Sequence, residues 1–138
     1  MADSFKVSVT LPASPKEIYN AWLDSSKHSE FTESKAQIEK KVGSEFTAGD
    51  GYIHGKNLLL HMNKRIHQSW RTNDFPEDAP DSKVEISLEP VEKGTKLTIV
   101  HTNLPEGEGK KYKKGWKDHY FAPMKKYFGN NEDVQNSQ

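Results

Sequence analysis

The most constraining feature of the sequence is its aromatic C-terminal segment, where a strand-like pattern gives way to a helical one. The segment EGEGKKYKKGWKDHYFAPMKKYFG begins at Glu106, and its apolar residues recur about every 3.6 positions, which predicts a helix from Glu108 to Phe128. Successive helical residues are rotated by roughly 100°. One face of the helix therefore carries an aromatic stripe, formed by Tyr112, Trp116, His119, Tyr120, Pro123 and Tyr127. A stripe this wide must be buried against another layer of structure.

Two residues are expected to shape the end of this helix. Pro123 cannot donate a backbone hydrogen bond to the carbonyl of His119, so we expect a kink or an interruption there. Gly129 is a typical helix stop, and the polar residues 130–138 predict a disordered tail. The length of the chain and its uniform composition then predict one domain over residues 1–129.

The remainder of the sequence predicts one early helix among short strands. Phe5, Val7, Val9 and Leu11 alternate with polar residues, as in a half-buried strand. In ASPKEIYNAW, Ser14 is placed to cap a short helix. Glycine-punctuated segments follow, and they predict strands at QIEKKV, SEFTA, YIHGKNLLLHM and RIHQSW, before a final hairpin around VEISL and LTIVH. We therefore expect an α+β fold, with a curved antiparallel sheet of about six strands wrapped on the terminal helix.

Composition excludes several classes of function. The chain has 20 Lys and Arg against 20 Asp and Glu and no net charge, which disfavours a nucleic-acid partner. It has no cysteine, which excludes disulfides and thiol catalysis and is typical of a cytoplasmic location. The longest aliphatic run is Leu58–Leu60, so we expect neither a membrane span nor a signal peptide.

The order and spacing of several motifs resemble a known family. The motifs are LPASPKEIYNAW near the N-terminus, SWR at Ser69–Arg71, NLPEGEGKKYKKGW, and the Gly115–Trp116 pair within the last of these. Together they resemble the C-terminal domain of the activators of the heat-shock protein 90 ATPase and the single-domain proteins related to it. These belong to the START and birch-pollen-allergen superfamily, so the resemblance implies the helix-grip fold. The activators carry a further N-terminal domain, and because nothing precedes Phe5 here we expect weak or no stimulation of the chaperone.

The helix-grip fold implies a space between sheet and helix, which the aromatic residues either fill as core or line as a cavity. His101 is in phase with Leu97 and Ile99 on the inward face of its strand, so its ring must find partners in the protein or in a ligand. On the cavity interpretation, the ligand-binding residues are Trp70, His101, Tyr112, Trp116 and Tyr120.

Metal and catalytic sites are not expected. The six histidines lack the spacing of a metal site, and we predict no metal and no cofactor. No nucleophile motif or glycine-rich phosphate loop is present, so we expect no catalytic residues and no enzyme. The favoured function is a non-enzymatic domain that binds a small hydrophobic molecule. The alternative is a stress-related accessory that contacts a heat-shock protein 90 chaperone through its surface, and a cyclase- or hydrolase-like enzyme ranks third.

Overall fold

The structure, a computed structural model, describes the backbone of residues 2–136 and the side chains of residues 2–129. The predicted disordered tail, residues 130–138, lies outside the residues whose side chains are described, and it stays a prediction. The division of the chain into a domain and a tail stays a prediction with it.

The sheet has six antiparallel strands in the order β1-β6-β5-β4-β3-β2. This confirms the predicted number of strands and the α+β class. The strands are β1 (Asp3–Leu11), β2 (Glu45–Ala48), β3 (Ile53–His61), β4 (Arg65–Thr72), β5 (Ser82–Val91) and β6 (Gly94–Leu104). Strands β1 and β2 are therefore the two edges of the sheet.

One predicted strand does not form. In QIEKKV, only Gln37 pairs with another strand, through an isolated bridge to Thr47. The carbonyls of Glu39 and Lys41 instead accept hydrogen bonds from the buried side-chain amide of Asn57. Because the buried amide donates to these carbonyls, they are not available to a neighbouring strand, and the segment forms a fixed loop. The strand-like sequence pattern does not reveal this contact.

Two short helices follow β1. Helix α1 (Pro15–Trp22) begins with the predicted capping box, in which Ser14 Oγ accepts from the N–H of Glu17 at 3.1 Å. Helix α2 (Ser25–Thr32) replaces the predicted loop or short turn, and its cap is Asp24, whose carboxylate accepts from the N–H of Lys27 at 2.9 Å.

The terminal helix covers the sheet in three consecutive parts, α3 (Gly109–Trp116), a π-helical turn (Lys117–Phe121) and α4 (Ala122–Asn136). The irregularity lies directly before Pro123. The N–H of Ala122 bonds to the carbonyl of Lys117, one residue further back than in an α-helix. The wider turn absorbs the missing donor and the bulk of proline without breaking the helix, which continues past Gly129.

The core lies between the terminal helix and the concave face of the sheet. Fully buried side chains alternate along the central strands, as Ile66, Ile86, Leu97 and Ile99 do, and they face Met124 and the aromatic stripe from the helix side. Each such side chain contributes about 1.5–3 kcal/mol through removal from water. This is the long helix held by a curved antiparallel sheet that the helix-grip resemblance implies.

The turn between β5 and β6 provides a test of the backbone packing. Gly94 has φ +139°, and a Cβ there would lie 2.0 Å from the carbonyl oxygen of Leu11. We expect Gly94→Ala to destabilise the fold by about 2 kcal/mol or more, because both the backbone angle and the contact oppose a side chain. The matched control is Gly115→Ala in α3, where a Cβ meets no atom within 4 Å. It should stabilise the fold by about 0.5–1 kcal/mol. Urea unfolding measures both changes, and equal effects would contradict the packing described.

Candidate functional site

A cavity of about 300 Å³ lies between the terminal helix and the end of the sheet where β3 begins and β4 ends. Its walls come from four parts of the chain: the terminal helix, the end of α2, the turn that leads into β3, and β4. The lining residues are Thr32, Ser34, Gly49, Tyr52, Ile53, Trp70, Tyr112, Gly115, Trp116, His119 and Tyr120. Four of the five residues predicted to bind a ligand are thus on this wall, and His101 is the exception.

Aromatic rings form most of the inner wall. Trp70 meets Tyr112 edge to face, with ring centroids 5.2 Å apart, and its ring lies 5.7 Å from that of Trp116. Trp116 in turn lies 4.7 Å from Tyr120, one helical turn further along. All four side chains are buried. Close tilted and edge-to-face contacts stabilise these rings beyond the burial of their area, so the wall is a fixed surface.

His101 lies behind the wall and connects the helix to the sheet. Its Nδ1 is 3.0 Å from the indole nitrogen of Trp116, and its Nε2 is 2.8 Å from Ser82 Oγ. Ser82 Oγ donates to the carbonyl of Trp70 at 2.8 Å. An indole N–H can only donate and a carbonyl can only accept, so all three hydrogen bonds have a fixed direction. Trp116 donates to His101, His101 donates to Ser82, and Ser82 donates to Trp70.

This direction requires a neutral His101 with its proton on Nε2. Burial lowers the pKa of His101 to about 3, which agrees with the neutral ring. Both ring nitrogens have partners within the protein, so the geometry favours the interpretation of His101 as a satisfied buried histidine. Its role as an anchor for a ligand stays a prediction.

A second buried histidine, which the sequence analysis missed, holds the other end of the wall. His28 Nδ1 donates to the carbonyl of Trp22 at 2.7 Å, so its Nε2 accepts from the hydroxyl of Tyr120, also at 2.7 Å. Burial lowers the pKa of His28 to about 4, against the opposing effect of the bond to Trp22. Burial also raises the pKa of Tyr120, so this hydroxyl remains a donor at neutral pH. The sequence signal for this pair was the Asp24 cap, which starts α2 and brings His28 and Phe31 to its buried face.

The rim of the cavity is an ion-paired cluster on three different segments. The Tyr52 hydroxyl donates to the Asp74 carboxylate at 2.6 Å, and the Lys111 ammonium bonds to the same oxygen at 2.8 Å. The bonds from Lys111 and then Tyr52 lower the pKa of Asp74, and burial together with the bond to Asp74 raises the pKa of Tyr52 to about 12. The cluster ties the turn before β3 and the loop after β4 to the terminal helix.

These contacts determine what the cavity can do chemically. Three of its aromatic residues have their polar groups bonded within the protein: Tyr112 to Thr72 at 2.7 Å, Tyr120 to His28, and Trp116 to His101. At these three residues the wall presents ring faces and edges to any occupant. Such a surface suits a flat apolar molecule.

Neither a metal centre nor a membrane-spanning helix is found in the part of the chain that the structure describes. No group of three or more His, Asp or Glu side chains there is placed to hold a metal ion. Within the same residues, no helix has the length and apolar character needed to cross a membrane.

Comparison with known proteins identifies relatives over nearly the whole chain. The family described as "Activator of Hsp90 ATPase homolog 1-like protein" matches residues 12–129. The activator of 90 kDa heat shock protein ATPase homolog from Dictyostelium discoideum is 29% identical over 126 residues, which are 91% of this chain and 33% of that protein. The activator of 90 kDa heat shock protein ATPase homolog 1 from Homo sapiens is 29% identical over 122 residues, which are 87% of this chain and 35% of that protein. The chain thus spans about a third of the length of these curated relatives.

A solved structure of similar length has the same fold. The crystal structure of an HSP90 activator from Plasmodium falciparum superposes with a TM-score of 0.81 and 25% sequence identity. The match covers 91% of this chain and 96% of the other. The agreement therefore extends over the sheet and the terminal helix together.

The two buried histidines predict a loss of stability in mild acid. Their folded pKa values, about 4 for His28 and about 3 for His101, lie below the usual value of 6.5. The unfolded chain therefore binds protons that the folded chain does not, and stability that is fully present above pH 6.5 falls as the pH decreases toward these values. At about 1.4 kcal/mol per pH unit for each ring, the loss between pH 7 and pH 5 is about 4 kcal/mol. Urea unfolding at pH 7, 6 and 5 measures it.

Long-range proton–nitrogen NMR spectra provide the control for this prediction. At pH 6 they should show His101 protonated on Nε2 and His28 protonated on Nδ1, as the fixed hydrogen-bond directions require. Two rings that titrate near pH 6.5, or a stability that is equal at pH 7 and pH 5, would contradict the assignment.

Proposed function

The chain belongs to the family of activator of Hsp90 ATPase homolog 1-like proteins, and from this premise we propose that it is a co-chaperone-like domain that binds a heat-shock protein 90 chaperone. The observation that carries the proposal is the match, over nearly the full length of both chains, to a protein described as an HSP90 activator. The proposed role is non-enzymatic, since the family is named for activating another protein's ATPase. A cytoplasmic location stays a prediction.

The terminal helix offers the surface for this contact. Lys110, Lys113 and Lys117 are exposed on it, and none of them forms an ion pair with a described residue. The neighbouring Lys111 and Lys114 are neutralised by Asp74 and Asp118. The unpaired lysines form a basic face, which would speed association with an acidic surface and orient it.

We expect the purified chain to bind purified heat-shock protein 90 saturably. In titrations followed by NMR, the charge-reversal variant Lys113→Glu/Lys117→Glu should weaken binding by about fivefold, because each rim charge contributes up to about 1 kcal/mol. The matched control is Lys6→Glu/Lys16→Glu, which reverses two exposed lysines on β1 and α1 and should leave the affinity unchanged. Chaperone ATPase rates are measured in the same samples. If neither the spectra nor the ATPase rate responds to the chaperone, the proposal is wrong.

The aromatic cavity supports a second candidate function, the binding of a small hydrophobic molecule. Its volume of about 300 Å³ lies at the small end of the range for ligand cavities. Its inner wall is built from Trp70, Tyr112, Trp116 and Tyr120, whose rings suit stacking against a flat ring system. A flat, fused aromatic ring is the class of ligand that these ring faces favour over a long acyl chain.

Flavonoid-like compounds at micromolar concentration should change the tryptophan fluorescence, because Trp70 and Trp116 line the cavity. Gly115→Leu should reduce this response at least threefold, since residue 115 lines the cavity and a leucine side chain would occupy part of its volume. Gly115→Ala is the matched control and should bind like the parent chain. Unchanged fluorescence and chemical shifts across a broad ligand set would mean that the aromatic residues serve only the core.

A further inference from the structure

The large apolar side chains that are exposed cluster at one end of the sheet, far from the cavity. Among the described residues they are Val42 (56% exposed), Leu58 (47%), Leu59 (41%), Met62 (71%) and Val91 (38%). The chain as a whole is polar, with a mean hydropathy of −0.92. Exposed apolar side chains grouped on such a chain are a candidate interaction surface. We call Val42, Leu58, Leu59 and Met62 the hairpin patch, since three of them lie in the β3–β4 hairpin.

The hairpin patch is held in place by buried hydrogen bonds. The Asn57 side chain is fully buried and donates to the carbonyls of Glu39 and Lys41, at 2.8 and 3.2 Å. Its backbone is bonded to Gly43 and Ser44, with N···O distances of 2.8 and 3.0 Å. These bonds fix the loop that carries Val42 beside the start of the Leu58–Met62 segment. The patch is therefore part of the folded surface and is present before any partner binds.

The patch lies on an unpaired strand edge. Strand β2 pairs only with Ile53–Lys56 of β3, so from Leu58 to His61 no described strand lies on that side of β3. The register with β4 shifts between Asn57 and Leu59, which makes Leu58 an extra residue on this edge. Open strand edges accept an added strand from another chain, and the residues that follow the bulge here, Leu59–His61, pair regularly with β4.

The opposite edge of the sheet has none of this character. On β1 the exposed residues are Ser4, Lys6, Ser8 and Thr10, which are small or charged. Sheet proteins use charged side chains, lysine in particular, to prevent an edge strand from pairing with another chain. Among the described residues, the β1 edge exposes no large apolar side chain, whereas the hairpin edge exposes apolar side chains beside basic ones.

Charge identifies the occupant. Residues 39–45 and 56–65 contain Lys40, Lys41, Lys56, Lys64 and Arg65 against Glu39 and Glu45, a basic excess in a chain that has no net charge. A second copy of the chain would bring the same basic residues against this surface, which disfavours self-association there. An acidic partner would complement it.

We propose that the Leu58–His61 edge binds an extended acidic segment of a partner protein as an added strand, with apolar residues that alternate with Asp or Glu. Alternation follows from strand geometry, since successive side chains point to opposite faces. One face of the added strand would cover the hairpin patch, and the acidic side chains would meet the surrounding lysines. The proposal is independent of the cavity and of the chaperone contact, which involve other surfaces.

The probe is an eight-residue peptide of alternating Glu and Val, titrated into the isotope-labelled chain. Chemical-shift changes should be confined to residues 40–44 and 57–65 and should decrease as salt is added. The control peptide has Lys in place of Glu and should bind at least fivefold more weakly. A third peptide, with N-methyl groups on alternate residues, keeps the side chains but removes backbone donors. It should lose binding if a strand is added.

Surface variants complete the test. Leu58→Glu/Met62→Glu should abolish binding of the acidic peptide, while Lys6→Glu on the opposite edge should not alter it. Lys41→Glu/Lys64→Glu should reverse the preference in favour of the Lys peptide. All these positions are exposed, and unchanged unfolding curves would verify that the fold is retained.

Three results would overturn the proposal. The first is equal binding of the acidic and basic peptides, and the second is a set of shifts that map to the cavity or the terminal helix. The third is concentration-dependent dimerisation in analytical ultracentrifugation that Met62→Glu abolishes, which would assign the edge to a second copy of the chain.

Discussion

The fold depends on how the aromatic stripe of the terminal helix is attached to the concave face of the sheet. The attachment is mainly apolar, but Trp116 also donates to His101, and His101 continues through Ser82 to the carbonyl of Trp70. A buried imidazole needs both of its ring nitrogens satisfied. The helix can meet this need only when Trp116 faces β6, so the hydrogen bonds add rotational and axial specificity that ring packing alone does not provide. His28 gives the same specificity at Tyr120, one turn further along.

The local patterns of the sequence predict most of the fold. Alternation identifies the strands, the capping box identifies α1, and the aromatic stripe identifies the terminal helix, because each depends on a few neighbouring residues. The errors arise where distant residues decide the structure. The QIEKKV segment has a strand pattern, yet the side chain of Asn57, far along the chain, donates hydrogen bonds to two of its carbonyls. The π-helical turn illustrates an intermediate case, since Pro123 predicts an irregularity but not the form in which the helix absorbs it.

The candidate site is predictable to the same degree and for the same reason. Helical period places Tyr112, Trp116 and Tyr120 on one wall, and strand alternation points Trp70 inward from β4. The partners of these residues come from distant segments, and single-sequence reasoning has no means to pair them. His28 lies on α2, Thr72 at the end of β4 and Ser82 at the start of β5. Whether His101 faces a ligand or the protein therefore depends on Ser82 and Trp116, which the pattern of its own strand does not contain.

The two ends of the sheet are built for different purposes by the same physical rule. At the cavity end, polar groups of the wall are matched within the protein, and the Tyr52, Asp74 and Lys111 cluster closes the rim. At the hairpin end, the buried amide of Asn57 is equally well matched, but its bonds hold apolar side chains out in solvent. Leucine and methionine that stay exposed on this loop and strand contribute no burial free energy to folding, and a covering partner would supply it. The proposed added strand would supply that burial on β3, whereas the exposed residues of β1 are small or charged and offer no apolar area to cover.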